Sequence, residues 1–145
     1  MAAPGKKNLI ELHIPSQLGY EKVAMDSAAA AARMMGFHES KIEDLKTAIS
    51  EACTNAMEHG NRFDKETRVM VTLEMARTKL EVNIKDHGRG LLGKVDQPDL
   101  EKQMSDESEN RGWGIFLIRN LVDEVEFKSV PDGGNVTRMV IHVTR

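Results

Sequence analysis

Apolar positions along the chain fall into short segments of two periods. Over residues 8–14, Ile10, Leu12 and Ile14 alternate with Glu11 and His13, which puts every second side chain on one face of a strand. Pro15-Ser16 ends that segment. Residues 20–35 change to helical spacing, with Val23, Ala30, Ala31, Met34 and Met35 in an alanine-rich run of good helix formers, and Gly36 predicts its stop. Ser40-Lys41-Ile42-Glu43 places a serine three residues before a glutamate, which predicts a capping box at the start of a second helix. Ile42, Leu45, Ile49, Ala52, Cys53 and Ala56 then form one apolar stripe, closed by Gly60. Residues 68–75 and 80–84 alternate again, and the short polar link between them predicts a hairpin. From His87 to Gly112 the pattern lapses into acidic residues (Asp96, Asp99, Glu101, Asp106, Glu107, Glu109) around Pro98, as in a functional lid or a disordered insert. Residues 115–122 predict a third helix, and 125–130 and 136–143 two further strands around a turn at 131–134.

Composition narrows what such a chain does. Its 145 residues fit one domain, 1–145, with residues 1–7 as a flexible leader around Pro4 and Gly5. The formal net charge of −3 argues against coating nucleic acid or an anionic membrane, since both need clustered positive charge. A single cysteine, Cys53, gives neither a disulfide framework nor a cysteine zinc cluster, and its place on the apolar stripe makes it a core residue. No apolar run approaches the ~18 residues of a membrane span. The expectation is a cytoplasmic α/β domain.

Three polar clusters do not belong to a plain core. Glu51, Asn55 and His59 step by four along one flank of the second helix. That flank reads equally well as a solvated face, but an amide oxygen there suits Mg²⁺ and a carboxylate one turn away suits proton acceptance from a hydroxyl. Asp86-His87-Gly88-Arg89-Gly90 follows a strand directly, and alternate glycines give a tight turn that admits a ligand closely. Arg111-Gly112-Trp113-Gly114-Ile115 opens a helix, where backbone N–H groups and the helix dipole favour an anion. It lacks the Gly-Lys-Ser/Thr ending of a P-loop.

Taken in order (Glu-x-x-x-Asn on a helix, strand–Asp-x-Gly-x-Gly, a polar stretch, Gly-x-Gly opening a helix), the clusters resemble the N, G1 and G2 boxes of the GHKL ATPases, the Bergerat-fold superfamily of gyrase-type enzymes and sensor histidine kinases. Ile14-Pro15-Ser16, Gly36-Phe37, the run from Ile49 to Ala56, and Gly112 through Phe127 are most similar to its anti-sigma factor serine/threonine kinase branch. The resemblance covers nearly the whole chain. It implies an α/β sandwich, a mixed, mainly antiparallel sheet with helices on one face, and residues 91–111 as an ATP lid.

By the same resemblance Asn55 holds the Mg²⁺ on the ATP phosphates and Glu51 is the catalytic base. Asp86 accepts the adenine amino group, with Thr137 behind it, and Gly88 and Gly90 let the chain pass close to the nucleotide. Arg111, Gly112 and Gly114 serve the phosphates, and His59 lies near the nucleotide. The implied partners are a STAS-domain anti-anti-sigma factor, phosphorylated on Ser or Thr, an RNA polymerase sigma factor held in a partner switch, and a second copy of the chain. The implied partners include neither nucleic acid nor membrane. The alternative is a non-catalytic, ATP-dependent regulatory binding module, which has no need of the carboxylate at Glu51.

Overall fold

The computed structural model describes residues 8–88, 112–131 and 133–143, so the leader and the lid expected at 91–111 lie outside the described residues. Elements run in the order β1 (Leu9–Pro15), α1 (Glu21–Met35), α2 (Glu39–Asn55), β2 (Arg68–Met75), β3 (Lys79–Lys85), α3 (residues 112–121), β4 (Glu124–Ser129) and β5 (Asn135–His142). The five strands form one sheet in the order β1-β2-β3-β5-β4, and all four pairings are antiparallel.

Register explains the alternation. Leu12 lies opposite Val71, Val71 opposite Ile84, Val82 opposite Met139, and Met139 opposite Val125. Residues directly opposite share a face, so the apolar half of each strand joins one continuous apolar face. Val69, Val71, Leu73, Leu80, Val82 and Met139 are fully buried there, in one core with Ile42, Leu45 and Ile49 of α2 and Ile118 of α3. Each such side chain contributes roughly 1.5–3 kcal/mol by leaving water. Alanines of α1 (Ala24, Ala28, Ala31, Ala32) complete the core, and their small size lets α1 pack closely.

α1 ends as expected at Gly36, which takes a left-handed φ of 88° while the Phe37 N–H returns to Ala32 O at 3.1 Å. The capping box is not formed. α2 begins one residue before Ser40, with His38 at its N-cap and no side-chain cap bond. The link from α1 is so short that Glu39 enters the first turn, where Arg33 of α1 binds it at 3.1 Å. At its other end α2 widens into a single π-helical turn, Ala56–Gly60, closed by Asn61 N–H to Ala56 O at 2.9 Å. Such turns re-aim the residues that follow and recur at functional sites.

Candidate nucleotide site

The polar clusters converge at one end of the sheet, where β3 finishes, β5 begins and the end of α2 lies over both. A cavity of about 150 Å³ opens there. Ala52, Asn55, Ala56 and Gly60 line it from α2 and its π turn, Asp86 from the end of β3, Ile115 from α3, and Phe127, Asn135 and Thr137 from β4 and β5. Thr137 pairs with Ile84 and Phe127, which sets it on the helix-facing side of the sheet. Asn55, Asp86 and Thr137, far apart in sequence, thus line the same cavity.

Bare backbone makes this convergence feasible. Gly114 lies in the first turn of α3, and a Cβ there would stand 2.8 Å from Glu51 Oε2 and 3.6 Å from Asn55 Nδ2. With glycine at 114 the start of α3 comes down on that carboxylate without displacing it. α3 starts at 112, earlier than the apolar spacing of 115–122 indicates. Gly60 does the same for Asp86, because a Cβ on Gly60 would fall on the Asp86 carboxyl. Gly88, at φ 62°, packs against Gly134, and a Cβ on it would meet Gly134 Cα at 2.5 Å.

Asp86 is buried, at 6% exposure, which for a carboxylate requires partners. Its Oδ1 accepts the Asn135 backbone N–H at 3.1 Å and the Asn135 amide at 3.4 Å, and its own N–H donates to Asn135 O at 3.0 Å. Glu51 is half-buried on α2. His59 lies in the π turn, 3.6 Å from Glu58, and is not among the cavity-lining residues. Gly112 is exposed at the start of α3, while Gly90 and Arg111 lie outside the described residues. Cys53 faces the core, and burial, with the nearby Glu21 carboxylate adding to it, pushes its thiol up to about 12. It is a packing residue.

Sequence reading passed over Asn61 and Asn135. Both follow glycines in turn-like contexts, where asparagine is an ordinary turn residue. Only the fold reveals that their amides hold the Asp86 loop.

The donor set suits a magnesium nucleotide. Among the described residues no group of three or more His, Cys, Asp or Glu side chains is placed to cage a metal. Mg²⁺ is ordinarily held by one or two protein oxygens together with phosphates and water, and a single amide at Asn55 matches that habit.

Residues 14–141 match the model of the histidine kinase-like ATPase domain. The serine-protein kinase RsbW of Bacillus subtilis (strain 168) is 33% identical over 124 residues, covering 83% of this chain and 78% of that protein. RsbW of Bacillus cereus (strain AH820) is 32% identical over 141 residues, covering 94% and 86%. Among solved structures, the RsbU and RsbW domains of Rv1364c from Mycobacterium tuberculosis superpose with a TM-score of 0.68 at 18% identity, over 96% of this chain and 33% of that one. The SiaB–SiaC complex from Pseudomonas aeruginosa gives 0.63 at 13% identity, over 91% and 88%. These two likenesses concern the fold.

Proposed function

The chain belongs to the histidine kinase-like ATPase domain family, and we propose that within it this protein is an anti-sigma factor serine/threonine kinase. It binds ATP with Mg²⁺, transfers the γ-phosphoryl group to a Ser or Thr of a STAS-domain antagonist, and sequesters a sigma factor when that antagonist is absent. The observation that carries this reading is the placement of Gly114 on Glu51 and Asn55 beside a cavity that ends at Asp86.

Each residue has a task that its position supports. Asp86 accepts the exocyclic amine of adenine, with Thr137 next to it on the cavity wall. Gly112 and Gly114 offer backbone N–H groups at the start of α3, where the helix dipole favours phosphate. Arg111, on the resemblance alone, adds positive charge. Asn55 contributes an amide oxygen to Mg²⁺, and the ion, when bound, neutralises charge on the triphosphate. Glu51 takes the proton of the acceptor hydroxyl as its oxygen bonds to the γ-phosphorus and the bond to the ADP oxygen breaks. Little covalent work falls to the protein, so positioning dominates the rate. The product phosphoserine or phosphothreonine carries about −1.5 to −2 charges, enough to release a docked partner.

The test is phosphotransfer from labelled ATP to STAS proteins of the same source. Wild type is expected to label one of them, and Glu51→Gln to keep nucleotide affinity while transfer falls about 10²–10⁴-fold. Transfer by E51Q at the normal rate would remove Glu51 as base. A wild type that labels none of them would favour the non-catalytic module.

A further inference from the structure

Asn61 is 0% exposed, and every polar atom of its amide is engaged. Its Oδ1 accepts the backbone N–H of His87 at 2.8 Å. Its Nδ2 donates to Ser16 Oγ at 2.9 Å and to Arg68 O at 3.2 Å. Ser16 Oγ lies in turn 3.0 Å from Thr67 Oγ1, and both residues are buried. One asparagine thus ties together the π turn after α2, the residue following Asp86, the start of β2 and the turn leaving β1.

This network holds the segment in which β3 runs out. β3 ends at Lys85, and Asp86 and His87 continue past the sheet. Asp86 is fixed from the β5 side by Asn135 and from below by the bare face of Gly60. Asn61 adds a restraint on the N–H immediately after the carboxylate. A buried amide with all its partners satisfied specifies one geometry, because any other rotamer leaves polar atoms unpaired.

We propose that Asn61 is a positioning residue for nucleobase selection: through the His87 N–H it fixes the direction in which Asp86 presents its carboxylate, and Ser16 orients the Asn61 amide from behind. The inference rests on the reading of Asp86 as the adenine contact. It separates the two ends of the nucleotide. Asn61 acts on the base end, while Asn55, Gly112 and Gly114 serve the phosphates and are not bonded to this network.

The experiment compares binding of ATP, GTP and inorganic tripolyphosphate, each with Mg²⁺, to wild type, Asn61→Ala, Ser16→Ala and Asp86→Asn. Asn61→Ala is expected to weaken ATP about 10-fold, to compress the ATP-to-GTP affinity ratio by a similar factor, and to leave tripolyphosphate unchanged. A merely structural role would weaken all three alike, and that result overturns the proposal. Ser16→Ala, a milder change, is expected to shift the ratio in the same direction by a smaller factor. Should Asn61→Ala fail to fold, Ser16→Ala decides, and an unaltered ratio there counts against the inference. Asp86→Asn separates the two layers. If it leaves base discrimination intact, the Asp86 reading falls and this inference with it. If it abolishes discrimination while folded Asn61→Ala and Ser16→Ala do not alter it, only the role of Asn61 is refuted.

Discussion

Gly114 contributes by what it lacks. A Cβ there would stand 2.8 Å from Glu51 Oε2, the far end of a flexible side chain, which shifts at little cost. Alanine is also the better helix former by about 1 kcal/mol. Gly114→Ala should therefore leave thermal stability equal or higher while displacing the proposed base. A misplacement of about 1 Å at a reacting group costs on the order of 10²-fold in rate. Parallel melting curves and phosphotransfer rates check this split, and equal activity would show that Glu51 does not act from its present position. Gly134 contrasts with it, since a Cβ there would strike the Asp86 backbone oxygen, which has nowhere to go.

At the scale of elements, the sheet carries its electrostatics on the face away from the helices. Arg138 of β5 reaches Glu81 of β3 at 2.9 Å and Glu126 of β4 at 3.8 Å, bridging three neighbouring strands. Burial raises the Glu81 carboxyl, but the Asn83 amide and the Arg138 guanidinium outweigh it and hold it below its ordinary value. A carboxyl depressed in the folded state adds stability above its unfolded value of about 4.3, and that stability is lost as pH falls through the folded value. Arg138→Met should thus cost up to about 1 kcal/mol at neutral pH, less whatever solvent screens from a pair about a quarter exposed. At acid pH, below the folded value of Glu81, the variant and wild type should converge. Denaturant titrations at the two pH values measure this, and a cost independent of pH would assign Arg138 to packing instead.

For the whole molecule, the helix layer and the sheet are joined at both ends, by different chemistry. Away from the cavity, Lys41 of α2 binds Asp123 at 3.2 Å and donates to His142 O at 2.9 Å. Burial raises Asp123, but the His142 N–H and Lys41 outweigh it and leave it depressed, so this clamp too loosens in acid. At the cavity end the layers meet through glycines and asparagines, and the proposed nucleotide adds the remaining contacts. ATP with Mg²⁺ at 100 times its dissociation constant should therefore stabilise the fold by about 2.7 kcal/mol, read as a rise in melting temperature. Asp86→Asn should abolish most of that rise, whereas Lys41→Met should keep it on a lowered baseline. A wild type indifferent to nucleotide would remove the site.

What the sequence determined was the set of elements, and it supplied the candidate residues of the proposed site. Apolar period is a local property, so β1, α1, α2, the β2–β3 hairpin and the final strands follow from Ile10-Leu12-Ile14, the alanine run, the Ile42–Ala56 stripe and their like. The order of Glu51, Asn55, Asp86 and Gly114 carried the resemblance to a nucleotide-binding family for the same reason: it is written in one dimension. Tertiary structure alone decided which of these polar groups meet. The approach of Gly114 to Glu51 and the amides of Asn61 and Asn135 on the Asp86 loop all join segments tens of residues apart. Such contacts depend on register, crossing and backbone approach, which are set by packing the whole core and leave no periodic trace in the chain.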